Sequence, residues 1–548
     1  MTADLQGGID PASAERLVRA LGLEVTDEQR AVVFGAPAGP AVVIAGAGSG
    51  KTAVMAARIA VLVATGQVAG EQVLGLTFTR KAAAELAERV DGYLRAARRL
   101  GLIDPHAGEP EIATYHSFSQ RFVREHGIWI GIDPDLRVES DFALLPLAYQ
   151  VVARSSALNG AEHDFTLSAA VTAMRRLDAA LAEHVVPTER LRAQEALRQQ
   201  QLARTARDSD ATRRLRAAST ARAVASLLVD EFRAAKADAG VMDYADMMRL
   251  ANLIAAGSDE AVSRTREAYP AVLLDEYQDT SVVQRLLLQR LFGGGHRLLA
   301  VGDPKQSIYG FRGAAAASME AFAQHFPAAD GTSAQVFALT SNFRSGPGIV
   351  AVANAAAASR RAARAMAPGD RLRAARTDID DTVEVHAFRS AADEQAFLVA
   401  EVKAELAAGR AADDIIVLAR SNGGVAAAAG ALAAAGIPVT SSNQAGLFDL
   451  PEVKDVLAVL AVVVDPSANA DLMRLLTGPR WAIGVRDLAL LGARARHLAG
   501  PAWRPEPTAD LAEQLSAATA GSDPVELPSL ADALGDPGEG AYSDAARR

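Results

Sequence analysis

The segment Val42-Val43-Ile44-Ala45-Gly46-Ala47-Gly48-Ser49-Gly50-Lys51-Thr52 restricts the fold more than any other, because an apolar run opens directly into a glycine-rich turn. Ala53-Val54-Met55-Ala56-Ala57-Arg58 then continues in helical composition. A strand, a glycine loop and a helix in that order leave a row of backbone N–H groups at the helix N-terminus, which is an arrangement that closes around phosphate. The loop positions are Ala45, Gly46, Ala47, Gly48, Ser49 and Gly50, with Ala where such loops usually begin with Gly. Lys51 can reach the β- and γ-phosphates of a nucleotide, and the Thr52 hydroxyl can ligate Mg²⁺. A second strand-like run at Val73–Phe78, also followed by a helical pattern, predicts a parallel sheet.

The other half of such a site is Ala271-Val272-Leu273-Leu274-Asp275-Glu276, an apolar strand ending in two adjacent carboxylates. Asp275 suits a metal ion, and Glu276 suits a base that activates water for attack on a γ-phosphate. Alone, two acids at a strand end would read as a cap or turn. Paired with the upstream loop they predict a nucleoside-triphosphate hydrolase, and Glu276 favours hydrolysis over transfer to a second substrate.

At roughly 100–200 residues per domain, 548 residues predict three or four domains. The chain has no cysteine, which excludes disulfides, cysteine-ligated zinc, iron–sulfur clusters and a thiol nucleophile. Met1-Thr2-Ala3-Asp4 opens no signal peptide, and the longest strongly apolar stretch, Val456 to Val464, is far shorter than the roughly 20 residues of a membrane span. A cytoplasmic protein without a membrane segment is expected. The net charge of −10 does not describe a single groove. From Val171 to Ala223 eleven Arg face six Asp or Glu, and this stretch reads either as a solvated helix face or as a phosphate-binding one.

Residues 121–252 read as mostly helix, after which Ala271–Leu274 and Arg297–Val301 resume the strand signal, so the helical block is expected to be an insertion into the first α/β domain. A second α/β unit is expected around candidate strands Val383–Phe388 and Asp414–Ala419, with helices at Ala392–Leu406 and Pro451–Val464. Ala-rich stretches at 314–317 and 426–435 read as helix. The last 48 residues hold six Pro and are expected to be loose.

Leu274-Asp275-Glu276-Tyr277-Gln278-Asp279-Thr280 and Val301-Gly302-Asp303-Pro304-Lys305-Gln306-Ser307-Ile308-Tyr309-Gly310-Phe311-Arg312-Gly313-Ala314 resemble motifs II and III of the UvrD/Rep/RecB group of superfamily 1 DNA helicases. The resemblance continues at Thr26-Asp27-Glu28-Gln29-Arg30, Leu76-Thr77-Phe78-Thr79-Arg80-Lys81-Ala82-Ala83, Thr114-Tyr115-His116-Ser117-Phe118 and Ser341-Asn342-Phe343-Arg344-Ser345. It implies that ATP is the nucleotide and Mg²⁺ its metal. Gln29 would read the adenine edge, Phe343 would stack on the base where many relatives have Tyr, Gln306 would sense the γ-phosphate, and Arg344 would stabilise charge on the transferring phosphoryl group. Single-stranded DNA would lie on Phe78, Thr79, Thr114, His116, Tyr309, Phe311 and Arg312. Phe311 in place of Trp, with the Asp-Pro-Lys-Gln wording, is similar to the actinobacterial AdnB-like helicase–nuclease group. That likeness implies a helicase–nuclease partner subunit, DNA duplex junctions as substrates and a place in DNA repair or recombination.

The implied architecture is α/β, a P-loop NTPase with two RecA-like domains, the second incomplete, and mostly helical insertions. The expected divisions are 1–120 and 253–345 for domain 1A, 121–252 for insertion 1B, 346–445 for a partial domain 2A, and 446–548 for a partial 2B. The implied activity is 3′-to-5′ translocation on DNA driven by ATP hydrolysis. Family motors also use a later Lys-Gly step and a later Thr-Arg step. After Ser345 the lysines are Lys403 and Lys454, followed by Ala404 and Asp455, and none of the six threonines precedes Arg. A C-terminally truncated chain is therefore expected. The rival reading is a nucleotide- and DNA-binding remnant without motor activity, and an unrelated ATPase is the other alternative.

Overall fold

The structure, a computed structural model, describes residues 18–19, 22, 25–104, 106–158, 166–204, 209–310, 313, 318–359, 369, 371–379, 381–441, 450–499 and 528–547. The chain divides into two compact units, one ending at Glu384 and the other beginning at Val385. In the first, a parallel sheet contains β1 (Ala41–Ala45), β2 (Val73–Thr77), β3 (Glu111–Thr114), β4 (Ala271–Leu274), β5 (Arg297–Gly302) and β6 (Gln335–Leu339). Their spatial order is β3-β2-β4-β5-β1-β6.

These strands are nearly continuous apolar runs because both faces of the sheet are covered. Ala41, Val43 and Ala45 of β1 and Ala271 and Leu273 of β4 pack on one side. That side is closed by α1 (Asp27–Gly35), α2 (Lys51–Ala64) and α3 (Arg80–Arg99). Val42, Val272 and Leu274 face the other side. There they meet α4 (Tyr115–His126) and, from beyond the inserted helices, Met248 and Ile254 and then Leu287 and Leu291. Period-2 alternation thus assigns each strand residue to a layer. Arg58 on α2 is buried without a carboxylate partner among the described residues and donates to the carbonyls of Val33 at 2.9 Å and Ala36 at 2.8 Å, which ties α2 to the C-terminal end of α1. Burial, with Arg297 nearby, lowers its pKa to about 10.

The inserted helices are α5 (Leu145–Arg154), α6 (Leu167–Glu183), α7 (Thr188–Ala203) and α8 (Asp210–Asp238), and they share a core of Ala148, Val152, Met174, Leu228 and Phe232. α9 (Tyr244–Gly257), α10 (Asp259–Ala268) and α11 (Val282–Phe292) return the chain to the sheet. Buried Lys236 of α8 contacts Asp178 of α6 at 3.0 Å, and Asp243 and Asp246 at the start of α9 at 2.7 and 2.6 Å. Five of the eleven Arg of the Arg-rich stretch form ion pairs within the insertion among the described residues. Arg192 pairs with Asp230, Arg198 and Arg222 with Glu195, Arg175 with Asp141, and Arg213 with Asp210. This geometry favours the solvated-face reading over a phosphate track.

Beyond β6, Ser341–Asn342 pairs in parallel with Arg373–Ala374, and α12 (Pro347–Ser359) packs against that short ladder. In the second unit, α13 (Ala391–Ala407) and α14 (Asn422–Ala434) share Val402, Leu432 and Ile437. After α15 (Pro451–Val464), a second cluster joins α16 (Asn469–Thr477), α17 (Val485–Leu498) and α18 (Leu530–Gly535) through Leu472, Leu476, Leu491 and Ala533.

The expected helices at 392–406, 426–435 and 451–464 are present, while 314–317 and most of the Pro-rich end lie outside the described residues. The strands expected at Val383–Phe388 and Asp414–Ala419 are not formed. Val385, Ile416 and Leu418 are 90%, 80% and 83% exposed. An apolar, β-branched run becomes a strand only when a neighbouring backbone pairs with it, and none of the described residues does so here.

Candidate functional site

Nearly every sequence-predicted site residue in the described set lies at or just beyond the C-terminal end of a sheet strand, the edge where open α/β sheets bind ligands. β1 delivers the glycine loop, with φ of +68° at Gly48 and +83° at Gly50. α2 begins at Lys51 with no side-chain cap and no acidic residue in its first turn. Its first N–H groups and the positive end of its dipole are thus left for an anion. Within the loop, the Ser49 hydroxyl donates to the Gly46 carbonyl at 2.8 Å.

β4 ends at the acidic pair. Asp275 is 2% exposed and accepts the Glu276 N–H at 3.0 Å. Burial first, then the Glu276 charge, push its carboxyl up to about 6, while Lys51 pulls it back. A buried carboxylate in this position suits a divalent cation. Glu276 has φ of +47°, a left-handed conformation that costs a non-glycine residue energy and needs its surroundings to hold it.

The turn that follows β4, braced by Asp303 just past the end of β5, supplies those surroundings. Gln278, which the sequence reading quoted without a role, donates through Nε2 to Glu276 at 2.7 Å and accepts the Asp303 N–H through Oε1 at 2.9 Å. The Asp303 carboxylate accepts from Gln306 Nε2 at 2.8 Å. Gly302 leaves room for this bond, because a Cβ at that position would stand 2.4 Å from Gln278 Oε1 and displace it. Hydrogen bonds therefore run unbroken from Glu276 to Gln306. Asp279, also without an assigned role, is pushed up to about 6 by burial and by Glu276.

The adenine-side candidates converge on the same loop. Gln29 sits in a capping box with Thr26 and donates to the Ser49 carbonyl at 3.0 Å. Its neighbour Glu28 accepts the Thr340 N–H at 2.7 Å and the Thr340 hydroxyl at 2.5 Å. Burial raises the Glu28 pKa, but these bonds outweigh it and hold the carboxyl below its ordinary value. Phe343 is 40% exposed and donates its N–H to the Gly48 carbonyl at 2.8 Å. A Cβ on Gly48 would lie 2.8 Å from Arg344 Cβ, so Arg344 is brought to the loop as well. Gly48→Ala should consequently weaken ADP binding by on the order of 10-fold, through backbone strain and this contact. Titration with a fluorescent ADP analogue checks it, and unchanged affinity would show that the loop backbone does not hold the phosphates.

The candidate DNA contacts form a second group. Phe78 and Tyr309 lie against each other with ring centroids 4.8 Å apart and planes tilted by 31°. Thr79 caps α3 and Thr114 caps α4 through their side-chain oxygens, and His116 packs edge-on against Tyr244 at 5.8 Å. Register Thr77↔Thr114 places the Phe78 and Thr114 strand ends side by side. Phe311 and Arg312 lie outside the described residues. No described helix is long and apolar enough to cross a membrane.

Residues 25–327 match the UvrD/REP helicase N-terminal domain, and residues 337–499 match the UvrD-like helicase C-terminal domain. The chain is 30% identical over 501 residues to the ATP-dependent DNA helicase UvrD1 of Mycobacterium tuberculosis, covering 89% of this chain and 58% of that protein. It is 31% identical over 513 residues to the UvrD2 helicase of the same organism, covering 92% and 66%. Against DNA helicase II of Escherichia coli it is 26% identical over 481 residues, covering 88% and 60%. The chain thus spans 58–66% of the length of these relatives.

Proposed function

Because the chain belongs to the UvrD/REP helicase family, we propose that its first unit is an ATP-hydrolysing motor site that moves single-stranded DNA in the 3′-to-5′ direction. One observation carries this reading: an uncapped helix N-terminus with Lys51 faces the Asp275–Glu276 pair, and Glu276 is linked through Gln278 and Asp303 to Gln306. In this mechanism the loop N–H groups and Lys51 bind the phosphates, while Gln29 and Phe343 hold adenine. Glu276 accepts a proton from the attacking water, and Arg344 offsets charge on the phosphoryl oxygens. A Mg²⁺ ion held by Thr52 and Asp275 would supply charge neutralisation at the β- and γ-oxygens.

Gln306 senses the γ-phosphate, and the segment that follows it carries Tyr309, whose ring centroid is 4.8 Å from that of Phe78. Aromatic faces accept any base, so stepping needs no sequence preference. Phe311 together with the Asp303-Pro304-Lys305-Gln306 wording supports the narrower AdnB-like assignment, with a helicase–nuclease partner, duplex junctions as substrates and a role in break repair.

The test is steady-state ATP hydrolysis by the 548-residue chain with and without single-stranded DNA. Turnover that rises with DNA is expected. ADP binding without turnover would instead favour the nucleotide- and DNA-binding remnant, and turnover indifferent to DNA would favour an unrelated ATPase. Displacement of strands from duplexes carrying a 3′ or a 5′ tail reads the polarity, with the 3′ tail expected to be preferred.

A further inference from the structure

Asn342 is 4% exposed, and its side chain meets three backbone groups. Nδ2 donates to the Ala47 carbonyl in the phosphate loop at 2.7 Å. Oδ1 accepts the N–H groups of Arg344 at 2.9 Å and Ser345 at 2.7 Å. The amide can sit only this way round, since the reverse would set its NH₂ against two donors and its oxygen against a carbonyl. With the Phe343 N–H on the Gly48 carbonyl, consecutive loop carbonyls are held by consecutive residues of this segment. The site has been shaped around the contact, because a Cβ on Gly48 would stand 2.9 Å from Asn342 Nδ2. Thr340, two residues before Asn342, is anchored independently on Glu28, next to Gln29.

We infer that Asn342 is a positioning residue of the nucleotide site, which fastens the Phe343-Arg344 step to the phosphate loop and thereby sets how tightly the base is held. This rests on the reading of the loop as a nucleotide site. Asn342 touches neither base nor phosphate in this scheme. It acts by holding a tight turn whose two outward side chains do, one over the base and one toward the phosphates. Phosphate binding by the loop N–H groups and Lys51 survives its loss, whereas placement of the Phe343 ring does not.

The test uses the full chain and Asn342→Ser, whose shorter hydroxyl can still accept the Arg344 and Ser345 N–H groups but cannot reach Ala47. Binding is measured with a fluorescent ADP analogue, competed by ADP and, separately, by inorganic tripolyphosphate. The expected result is ADP affinity reduced on the order of 10-fold, with tripolyphosphate affinity within about twofold of the unaltered chain and cooperative thermal unfolding retained. Equal loss of both ligands, or no loss of ADP, would overturn the assignment. Asn342→Thr answers the same question should the serine variant unfold. If the unaltered chain binds neither ligand, the nucleotide-site reading itself fails and this inference fails with it. If it binds both, a variant without selective ADP loss refutes the inference alone.

Discussion

Glu276→Gln should lower DNA-stimulated ATP turnover by about 10²–10⁴-fold while leaving ADP binding within about twofold. The amide keeps the shape of the carboxylate but cannot accept a proton from water at neutral pH. Gln278 would still have an oxygen to donate to, since the Gln carbonyl can take the place of the carboxylate oxygen at 2.7 Å. The left-handed backbone at residue 276 is also retained, so the variant separates chemistry from assembly. Single-turnover hydrolysis beside an ADP titration checks this. Turnover that survives the change would mean that Glu276 is a structural acid and that some other group activates water.

Lys236→Met should destabilise the inserted helices by about 3–5 kcal/mol, the cost of leaving buried carboxylates without their cation. Three Asp side chains surround Lys236, while Arg233 and Arg249 reach Asp178 and Asp246 from the rim. Burial alone would lower the lysine pKa, but Asp246, Asp178 and Asp243 outweigh it and raise the value. Asp246 is raised by burial, yet Lys236 and Arg249 bring it below its ordinary value. The raised lysine contributes fully at neutral pH and is lost only as pH climbs through its elevated folded-state value. The depressed Asp246 contributes above the usual carboxylate range, and that contribution is lost as pH falls through its lowered value. Urea midpoints of the unaltered chain should therefore be nearly flat around neutrality and fall below about pH 4, whereas Lys236→Met should be shifted downward throughout. An unshifted midpoint at pH 7 would show that the cluster is solvated rather than buried.

The local elements were legible where a single segment carries its own signal. β1 with the glycine loop, the β4 run ending in Asp275 and Glu276, and the α13 and α15 helices stand where composition and spacing put them. Val383–Phe388 and Asp414–Ala419 carry as good a strand pattern but form none, because a strand requires a partner that its own sequence does not name. The Arg cluster was equally ambiguous in sequence. Charge counts cannot say whether Arg192 and Arg222 meet phosphates or, as here, Asp230 and Glu195.

By itself, then, the sequence determined the chemical parts: the phosphate loop, the acidic pair, the aromatic and basic motif residues, and the absence of any cysteine chemistry. Only the tertiary structure decided which parts meet. Asn342 reaches a carbonyl 295 positions away, and Gln278 joins Glu276 to Asp303, 25 positions after Gln278 and just past the end of β5. Such contacts follow from strand order and register, which bring the C-terminal ends of β2, β4, β5, β1 and β6 to one edge. Hydrogen-bond geometry at about 3 Å is fixed by that packing, and no local pattern of residues encodes it.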